Sequence, residues 1–359
     1  MSANGFDVTM MSADGAERTE VMNNENCKHI IVPLTRQITP IQDLKALWNL
    51  YFHLRTIKPY IVHSHTPKAG IVGMMAAWLA RVPVRIHTVA GLPLQTATGK
   101  KRWLLETIEK LTYKLATQVW PNSNSLYQFI LKEKFVTEDK LSVIGKGSSN
   151  GIDTSEFDVD ALDNDILENI KSKIEFSDSN RYLLFVGRVV KDKGIEELVE
   201  AFRNIKSSYQ NLKLIIVGPL EHSLDPLSTE ISKVIEEDED IITTGFSSYV
   251  KYYMHLSDLF VFPSHREGFP NVPMQAALMG CPVIASRIDG NTDIVDHQIN
   301  GILHTVADRH ALQSAIVYAL DHSDQMREMA SKLKSKITNS FERKFVQKEI
   351  LLQYLNLLK

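Results

Sequence analysis

Two segments of the chain carry residue types that bind phosphate and sugar groups. Arg188 and Lys193 stand in the segment GRVVKDKG (187–194), between an apolar run and an amphipathic run. Cations beside a helix N-terminus, whose partial charge is positive, favour an anion such as a diphosphate. Glu267 follows a second apolar run, LFVF (259–262), and its carboxylate can accept hydrogen bonds from sugar hydroxyls. This pattern predicts a pocket for a nucleotide diphosphate joined to a polyhydroxy group; a solvated basic turn and a solvent-facing glutamate are the alternatives.

A helix is expected directly after Glu267. Asn271 can cap this helix, Pro273 fits its first turn, and Gly280 ends it. Gln275 comes four residues after Asn271, so the two side chains share a face of the helix. Both are therefore expected to face the same ligand.

The elements that must position these segments alternate short β-branched runs with longer amphipathic runs, which is typical of parallel sheets with helices on both faces. Strands are predicted at 6–11, 29–32, 60–64, 84–88, 118–122, 141–145, 182–187, 212–218, 240–245, 258–263, 282–286 and 301–304. Helices are predicted at 40–57, 69–80, 101–116, 308–320, 324–337 and 343–358, among others. The sequence thus predicts an α/β protein of two doubly wound, Rossmann-like domains facing a cleft, with a hinge near residue 150.

Ligands of open α/β sheets bind outside the carboxyl ends of the strands. The loops after strands 182–187 and 258–263, which hold the charged segments, are therefore expected to meet there. Two further loops end at the same rim, one with Gly245 and one at 286–291.

Composition excludes several classes of protein. The 359 residues are 44% hydrophobic and 23% charged, which is typical of globular chains and excludes disordered or fibrous ones. A net charge of -3 argues against a nucleic-acid partner bound through a global positive field. Cys27 and Cys281 are the only cysteines in the sequence, so a disulfide framework is excluded and a cytoplasmic location is favoured.

The charged segments also resemble a known family. GRVVKDKG (187–194) and EGFPNVPMQ (267–275) resemble the donor domain of glycosyltransferase family 4, which has the GT-B fold. The first half is similar to the same family through HSHTPKAGIVG (63–73), HTVAGLP (87–93) and PNS (121–123). The resemblance implies retaining transfer of a sugar from a nucleotide-diphosphate sugar, with UDP expected, to a glycan or polyprenyl-linked acceptor of cell-surface polysaccharide synthesis. The sugar nucleotide is then a substrate, and neither a cofactor nor a metal is expected.

Residue roles follow from this resemblance. Arg188 and Lys193 are expected to hold the donor diphosphate, and Glu267 is expected to contact the donor sugar as the catalytic residue. The residues expected to contact the rest of the donor are Gly245, Gly268, Phe269, Pro270, Asn271 and Gln275. His65 and His87 are acceptor-side candidates, with a packed structural histidine as the alternative for His87. The resemblance divides the chain into an acceptor-side domain (1–150), a donor domain (151–340) and a C-terminal helix (341–359) that returns to the first domain.

Two positions depart from the family pattern. Gln275 stands where the family has a second Glu that holds the ribose hydroxyls, so the charge-assisted bond is lost. Ala90 replaces a His that many members carry, so no catalytic role transfers to that position. A sugar-nucleotide epimerase of the same fold and an inactive nucleotide-sugar binding module are the alternative functions.

Three further expectations concern the first half. We expect His63 and His65, if they lie on a strand, to point to opposite faces, so no zinc pair is predicted there. The segment 99–114 has five cations, two glutamates and Trp103, and it is predicted to contact a membrane surface, on the inner face of the membrane, or a lipid-linked acceptor; a packed helix with a solvated face is the alternative. The chain opens with a short helical tail capped by Gly5, and we expect that the family's first strand and helix are absent before this point.

Overall fold

The computed structural model describes residues 1–15, 18–25, 27–35, 39–209, 211–221 and 225–358. The chain forms two compact units: Met1–Ile144 with Lys348–Lys359, and Gly145–Gln347. The domain limits predicted from the sequence, 1–150, 151–340 and 341–359, stay a prediction, since compactness alone does not define domains that fold independently.

The second unit is built around one parallel sheet. Its strands are β6 (Arg181–Val186), β7 (Leu212–Val217), β8 (Ile241–Gly245), β9 (Leu259–Phe262), β10 (Val283–Ser286) and β11 (Ile302–His304). Their order in the sheet is β11-β10-β9-β6-β7-β8, which is the doubly wound order with the first strand at the centre. All six second-half strands predicted from the sequence are confirmed.

Helices connect and follow these strands in the second unit. They are α6 (Asn164–Lys173), α7 (Ile195–Lys206), α8 (Thr229–Glu237), α9 (Val250–Leu256), α10 (Asn271–Leu278), α11 (Asn291–Ile294), α12 (Arg309–Asp321) and α13 (Ser323–Ser340). The last helix, α14 (Arg343–Asn356), begins in this unit and ends in the first. Helix α7 shows why they form, because its apolar residues recur every three to four positions and are all buried against the sheet: Ile195, Leu198, Val199, Phe202 and Ile205.

The first unit has two parallel sheets. β1 (Thr9–Ser12) pairs with β2 (Lys28–Ile31), and β3 (Ile61–His65), β4 (Val84–Val89) and β5 (Gln118–Pro121) form a three-stranded sheet in that order. The helices are α1 (Arg18–Glu25), α2 (Pro40–Ile57), α3 (Pro67–Leu79), α4 (Gly99–Leu115) and α5 (Asn124–Lys132). Helix α3 packs against α2 and against α4, so these three lie side by side.

Two details of the first unit bear on the sequence predictions. The run 141–145 was predicted as a strand, which is wrong: Leu141 makes only an isolated bridge to Val119, because the Gly and Ser residues that follow turn the chain away. The opening helical tail is confirmed as a short 3-10 helix, Ser2–Asn4, ended by Gly5 at φ 85°. The absence of a preceding strand and helix stays a prediction.

The last helix joins the two units along the chain. Its final turns belong to the first unit, where Ile350, Tyr354 and Leu357 pack against Trp120 and its neighbours, as the returning C-terminal helix was predicted to do. Just before it, within the second unit, Ile152 exchanges two backbone hydrogen bonds with Phe341 and Arg343, at 2.8 and 2.9 Å. The segments where the chain enters and leaves the second unit therefore lie side by side.

Candidate donor site

The order of strands in the second unit defines one crevice. The chain runs outward from β6 to β7 and β8, then returns to β9 on the other side of β6. At such a reversal the loops after the two neighbouring strands diverge, and ligands of doubly wound folds bind between them. Those loops, 187–194 and 263–270, are the two segments predicted to hold the donor.

The two loops approach each other closely at Gly194. This residue has φ 71° and ends the short 3-10 helix Lys191–Lys193, immediately before α7. A Cβ at this position would lie 2.2 Å from the carbonyl oxygen of Pro263. Only glycine therefore allows the Lys193 loop to contact the backbone of the Glu267 loop.

Lys193 and Glu267 form an ion pair across the crevice. The ammonium Nζ contacts Glu267 Oε1, and each side chain is 15% exposed. Ser264 Oγ donates a second hydrogen bond to the same oxygen, at 2.8 Å. The Lys193 ammonium also lies 5.8 Å from the centroid of the Phe262 ring. The structure thus brings together two of the three charged residues predicted for the site.

Arg188 lies on the same loop as Lys193 but points to a different partner. Its Nη1 donates to Glu221 Oε2 at 2.9 Å, in the loop after β7, and its side chain is 48% exposed. Because the bond is at the surface, it is weak and an anionic ligand can replace it.

The loop after β10 closes the rim on the far side of Glu267. Gly290 has φ 80°, and a Cβ there would lie 2.3 Å from the carbonyl oxygen of Gly268. Ser286 Oγ donates to the carbonyl of Ser264, and Asn291 Nδ2 donates to the carbonyl of Ser286 at 2.9 Å. These buried bonds tie the backbone that carries Glu267 to β10.

Helix α10 follows this loop with one difference from the prediction. Asn271 is not the cap but the first helical residue, and no side chain caps the helix, because Pro270 takes the capping position. Gly280 has φ 79° just after the helix, as expected of its end. Asn271 is exposed and Gln275 is half-buried, one turn apart on the helix.

Phe269 and Gly245 reach the rim through their backbones. The ring of Phe269 packs against Phe341, with centroids 5.1 Å apart, so the side chain belongs to the core. Gly245 ends β8 with φ 68°, and its carbonyl accepts a hydrogen bond from Gly218 at 2.9 Å. A ligand near either residue would contact main-chain atoms.

Sequence reasoning missed Asp192, which links the two charged loops. Its carboxylate accepts a hydrogen bond from Arg266 Nη2 at 3.0 Å, and its carbonyl accepts one from the His265 amide at 2.9 Å. Its own amide donates to Asp225 Oδ2 at 2.6 Å. The sequence did offer one signal, since Asp192 lies between two lysines and an acid there has cations to pair with. Its actual partner, Arg266, is too distant along the chain to be predicted from the sequence.

A second, half-buried pair, also missed, lies behind these loops. His265 Nε2 lies 2.8 Å from Glu197 Oε1 at the start of α7. The hydrogen bond to Glu197 raises the pKa of His265 above its usual value, against the opposite effect of burial. Each of the residues from Ser264 to Glu267 therefore contacts another loop or helix through its side chain.

The acceptor-side candidates of the first unit lie in different surroundings. His87 is 1% exposed, bonded through Nδ1 to Ser64 Oγ at 2.9 Å, and its ring is so close to Gly70 that a Cβ there would lie 2.4 Å from Cε1. Burial lowers the pKa of His87 to about 4. These contacts are those of a packed neutral histidine, whereas His65 is exposed at the end of β3.

The expectation for His63 and His65 is wrong. Alternate residues of a strand share a face, and the two rings lie 4.2 Å apart between centroids. His63 is held by Thr88 Oγ1 at 2.6 Å and by the hydroxyl of Tyr354. Over the part of the chain that the structure describes, no three His, Cys, Asp or Glu side chains are grouped so that they could hold a metal ion.

Helix α4 contains the segment predicted to contact a membrane. Trp103, Leu104 and Leu111 are 69%, 42% and 40% exposed on its outer side, among the exposed cations Lys100, Lys101 and Lys114. Glu109 faces inward and is buried. Among the helices in the described ranges, none has the length and apolar character that a bilayer crossing requires.

Family models match both halves of the chain. The model described as "Glycosyl transferases group 1" matches residues 167–336, which contain the crevice between β6 and β9. The model described as "Glycosyl transferase 4-like domain" matches residues 1–147.

Individual relatives agree with this result. The chain is 33% identical over 354 residues to a capsular polysaccharide biosynthesis glycosyltransferase of Staphylococcus aureus, covering 99% of this chain and 91% of the relative. It is 28% identical over 340 residues to an Escherichia coli UDP-Gal:alpha-D-GlcNAc-diphosphoundecaprenol alpha-1,3-galactosyltransferase, covering 94% and 85%. Its fold is similar to that of HepE from Anabaena in complex with UDP, with a TM-score of 0.80 at 16% identity over 98% of this chain and 100% of that one.

Fold, crevice and relatives together define a sugar-transferring enzyme of the GT-B fold. The chain belongs to the group 1 glycosyltransferases of family 4.

Proposed function

We propose that this glycosyltransferase is a retaining enzyme that transfers a sugar from a UDP-sugar to a polyprenyl-linked or glycan acceptor in cell-surface polysaccharide synthesis. The observation that carries the proposal is the Lys193–Glu267 pair at the strand-order reversal of the donor unit. The names of the relatives support the finer points: one acts in capsular polysaccharide biosynthesis, and another is named for UDP-Gal and a diphosphoundecaprenol-linked acceptor.

The chemistry needed of the site is stabilisation of a leaving diphosphate. When the bond between the anomeric carbon and the diphosphate oxygen breaks, the electron pair stays with UDP, and negative charge grows on that oxygen. Lys193 and Arg188 are proposed to stabilise this charge. Preorganised charges of this kind make the largest single contribution to the rate enhancement of many enzymes. Both cations pair with carboxylates in the structure. A bound diphosphate must therefore displace these carboxylates or bind the cations alongside them.

Glu267 is proposed to orient the donor sugar. Lys193 and Ser264 both bond its Oε1, and no described residue donates to Oε2. Oε2 is thus the atom that can accept hydrogen bonds from sugar hydroxyls. The main chain from Gly268 to Asn271, together with Gln275, is proposed to contact the rest of the donor.

The acceptor is proposed to reach the first unit. His65 is the exposed candidate there, and the outer side of α4 is proposed to contact the headgroups of an anionic membrane that carries a lipid-linked acceptor.

Incubation with UDP-glucose, UDP-galactose and UDP-N-acetylglucosamine, with and without a polyprenyl-diphosphate sugar acceptor, tests the proposal. We expect release of UDP that depends on the acceptor, and a product whose new linkage keeps the donor's anomeric configuration by NMR. Glu267→Gln should abolish transfer while the variant remains folded. Isomerisation of the donor, an inverted linkage, or binding without turnover would each contradict the proposal.

A further inference from the structure

Helix α2 of the first unit is apolar on both of its sides. Its inner side is buried against α3 through Ala46, Leu47, Leu50 and Leu54. Its opposite side, which we call the outer face, consists of Ile41, Leu44, Trp48 and Phe52, which are 75%, 54%, 47% and 63% exposed. Their spacing of three, four and four residues places them in one stripe along the helix. Surface helices normally carry polar residues on such a stripe, so an exposed one indicates a binding surface.

The aromatic residues of this face form a connected cluster. The Trp48 ring lies 5.5 Å from Tyr51 in an edge-to-face contact and 6.2 Å from Phe52, between centroids. Tyr51 also contacts Phe52, at 5.4 Å. Aromatic contacts of this kind restrict the rings, so the face is presented with little conformational freedom to lose on binding.

The charges on the outer face have one sign. Lys45 and Arg55 are exposed; by helical spacing Lys45 lies beside the stripe, and Arg55 continues it one turn after Phe52. The acidic residue of α2, Asp43, lies on the other side of the helix and pairs with Lys68 at 2.6 Å. The face therefore combines Trp and Phe with cations and presents no carboxylate.

This combination fits an anionic lipid surface better than a second copy of the chain. Two copies meeting through α2 would bring Lys45 and Arg55 of one near those of the other, with no acid on the face to compensate. A bilayer with anionic headgroups satisfies both features, because the cations bind headgroups while Trp and the aliphatic residues enter the interfacial layer.

We propose that the outer face of α2 inserts into the interfacial layer of an anionic bilayer. This surface is distinct from that of α4, and the proposal does not depend on the identity of donor or acceptor. Since α3 lies between α2 and α4, the two helices flank it in the same unit.

Sedimentation with phosphatidylglycerol vesicles and with phosphatidylcholine vesicles tests the inference on the full chain. The variant Trp48→Ala/Phe52→Ala should bind phosphatidylglycerol vesicles more than tenfold less tightly, because insertion would remove both rings from water. Lys45→Ala/Arg55→Ala should lower the preference for phosphatidylglycerol by roughly fivefold per charge. The matched control is Phe246→Ala/Tyr249→Ala, an exposed aromatic pair of the second unit, which should bind as the wild type does.

The depth of insertion gives an independent readout. Brominated lipids should quench part of the tryptophan fluorescence, and Trp48→Phe should remove that part while vesicle binding persists. Unchanged vesicle affinity of the Trp48→Ala/Phe52→Ala variant, with its circular dichroism intact, overturns the inference. If Lys100→Ala/Lys101→Ala loses vesicle binding while both α2 variants keep it, the contact belongs to α4 and the inference for α2 is wrong. Neither result affects the proposed sugar transfer.

Discussion

Lys193 and Ser264 share one oxygen of Glu267. Both side chains bond Oε1, one from the loop after β6 and the other from the same loop as Glu267 itself. The carboxylate is thereby held between two strand ends, with its second oxygen available to a ligand. The cation proposed to bind phosphate and the carboxylate proposed to bind sugar thus position each other.

Loss of either cation should weaken nucleotide binding. Lys193→Ala or Arg188→Ala is expected to weaken UDP binding by about 2 kcal/mol, roughly 30-fold, which is the scale of a lost charged hydrogen bond. Isothermal titration calorimetry measures the change, and Arg309→Ala serves as control because it removes a surface cation paired with Glu200 instead. Wild-type affinity in both site variants would rule out the diphosphate assignment.

Restoring the family's carboxylate should strengthen binding. Gln275 is half-buried one turn after Asn271, so Gln275→Glu is expected to tighten UDP binding by roughly 1 kcal/mol through a charge-assisted bond to the ribose. The matched control is deoxyribose UDP lacking the 2′-hydroxyl, for which the gain should shrink. An equal gain for both nucleotides would show that Gln275 does not face the ribose.

Asp192 is expected to act as a positioning residue. Asp192→Asn removes the charged bond to Arg266 but keeps the backbone contacts, so the two loops should lose their fixed spacing. A UDP-sugar spans both loops, and we expect its affinity to fall by roughly three- to tenfold while that of UDP changes less. Calorimetry with both ligands measures the difference. Glu200→Gln, which breaks an Arg–carboxylate pair of equal length elsewhere in the unit, should change neither; parallel losses for both ligands would indicate a merely structural role.

Glu109 is expected to make stability depend on pH. Burial raises the pKa of Glu109 to about 7, against a smaller opposite effect of the Tyr113 hydroxyl, so the folded state binds a proton that the unfolded chain releases near pH 4.5. Its contribution is therefore present below pH 4.5 and is lost as the pH rises through 7, by about 3 kcal/mol. Glu109→Gln should match the wild type near pH 4 and exceed it in unfolding free energy at pH 8, as measured by urea denaturation at each pH.

His87 works in the opposite direction and serves as an internal comparison. Its lowered pKa, about 4, stabilises the fold above pH 6.5, and this contribution is lost as the pH falls toward 4. The His87 contribution is the same in the Glu109→Gln variant and in the wild type. The difference between their unfolding free energies therefore reports on Glu109 alone. A constant difference across the pH range would contradict the assignment.

Sequence patterns predicted the strands and helices of the second unit better than they predicted its side-chain contacts. Periodicity located β6, α7 and β9, because buried parallel strands and one-sided helices leave clear patterns, and the loops after them followed. The link between Asp192 and Arg266 spans 74 residues, and no local pattern encodes such a pairing. The contact between His63 and His65 is different, because alternate residues of a strand share a face and the strand pattern alone predicts it.

Capping preference and strand propensity did not predict the structure at two places, where the neighbouring backbone decided the conformation. Asn271 is a good capping residue, yet Pro270 occupies that position. The run 141–145 has strand-forming residues, but the chain turns at Gly145 and Gly147, so only Leu141 forms a bridge to Val119. Asn271 and the run 141–145 are exposed or half-paired positions, where propensity is a weak guide.

The segments where the chain enters and leaves the second unit lie side by side, and this determines the order in which the two units can fold during synthesis. His63 acquires its partner Tyr354 only after 291 further residues have been made. By the time Tyr354 has emerged from the ribosome, the whole of Gly145–Gln347 has emerged as well and can fold, since its two ends are joined by the bonds of Ile152. Trp120 and its neighbours therefore stay uncovered until Ile350, Tyr354 and Leu357 have emerged. Until residues 348–358 emerge, a complete second unit is attached to an incomplete first unit, which is the stage at which a chaperone would be needed.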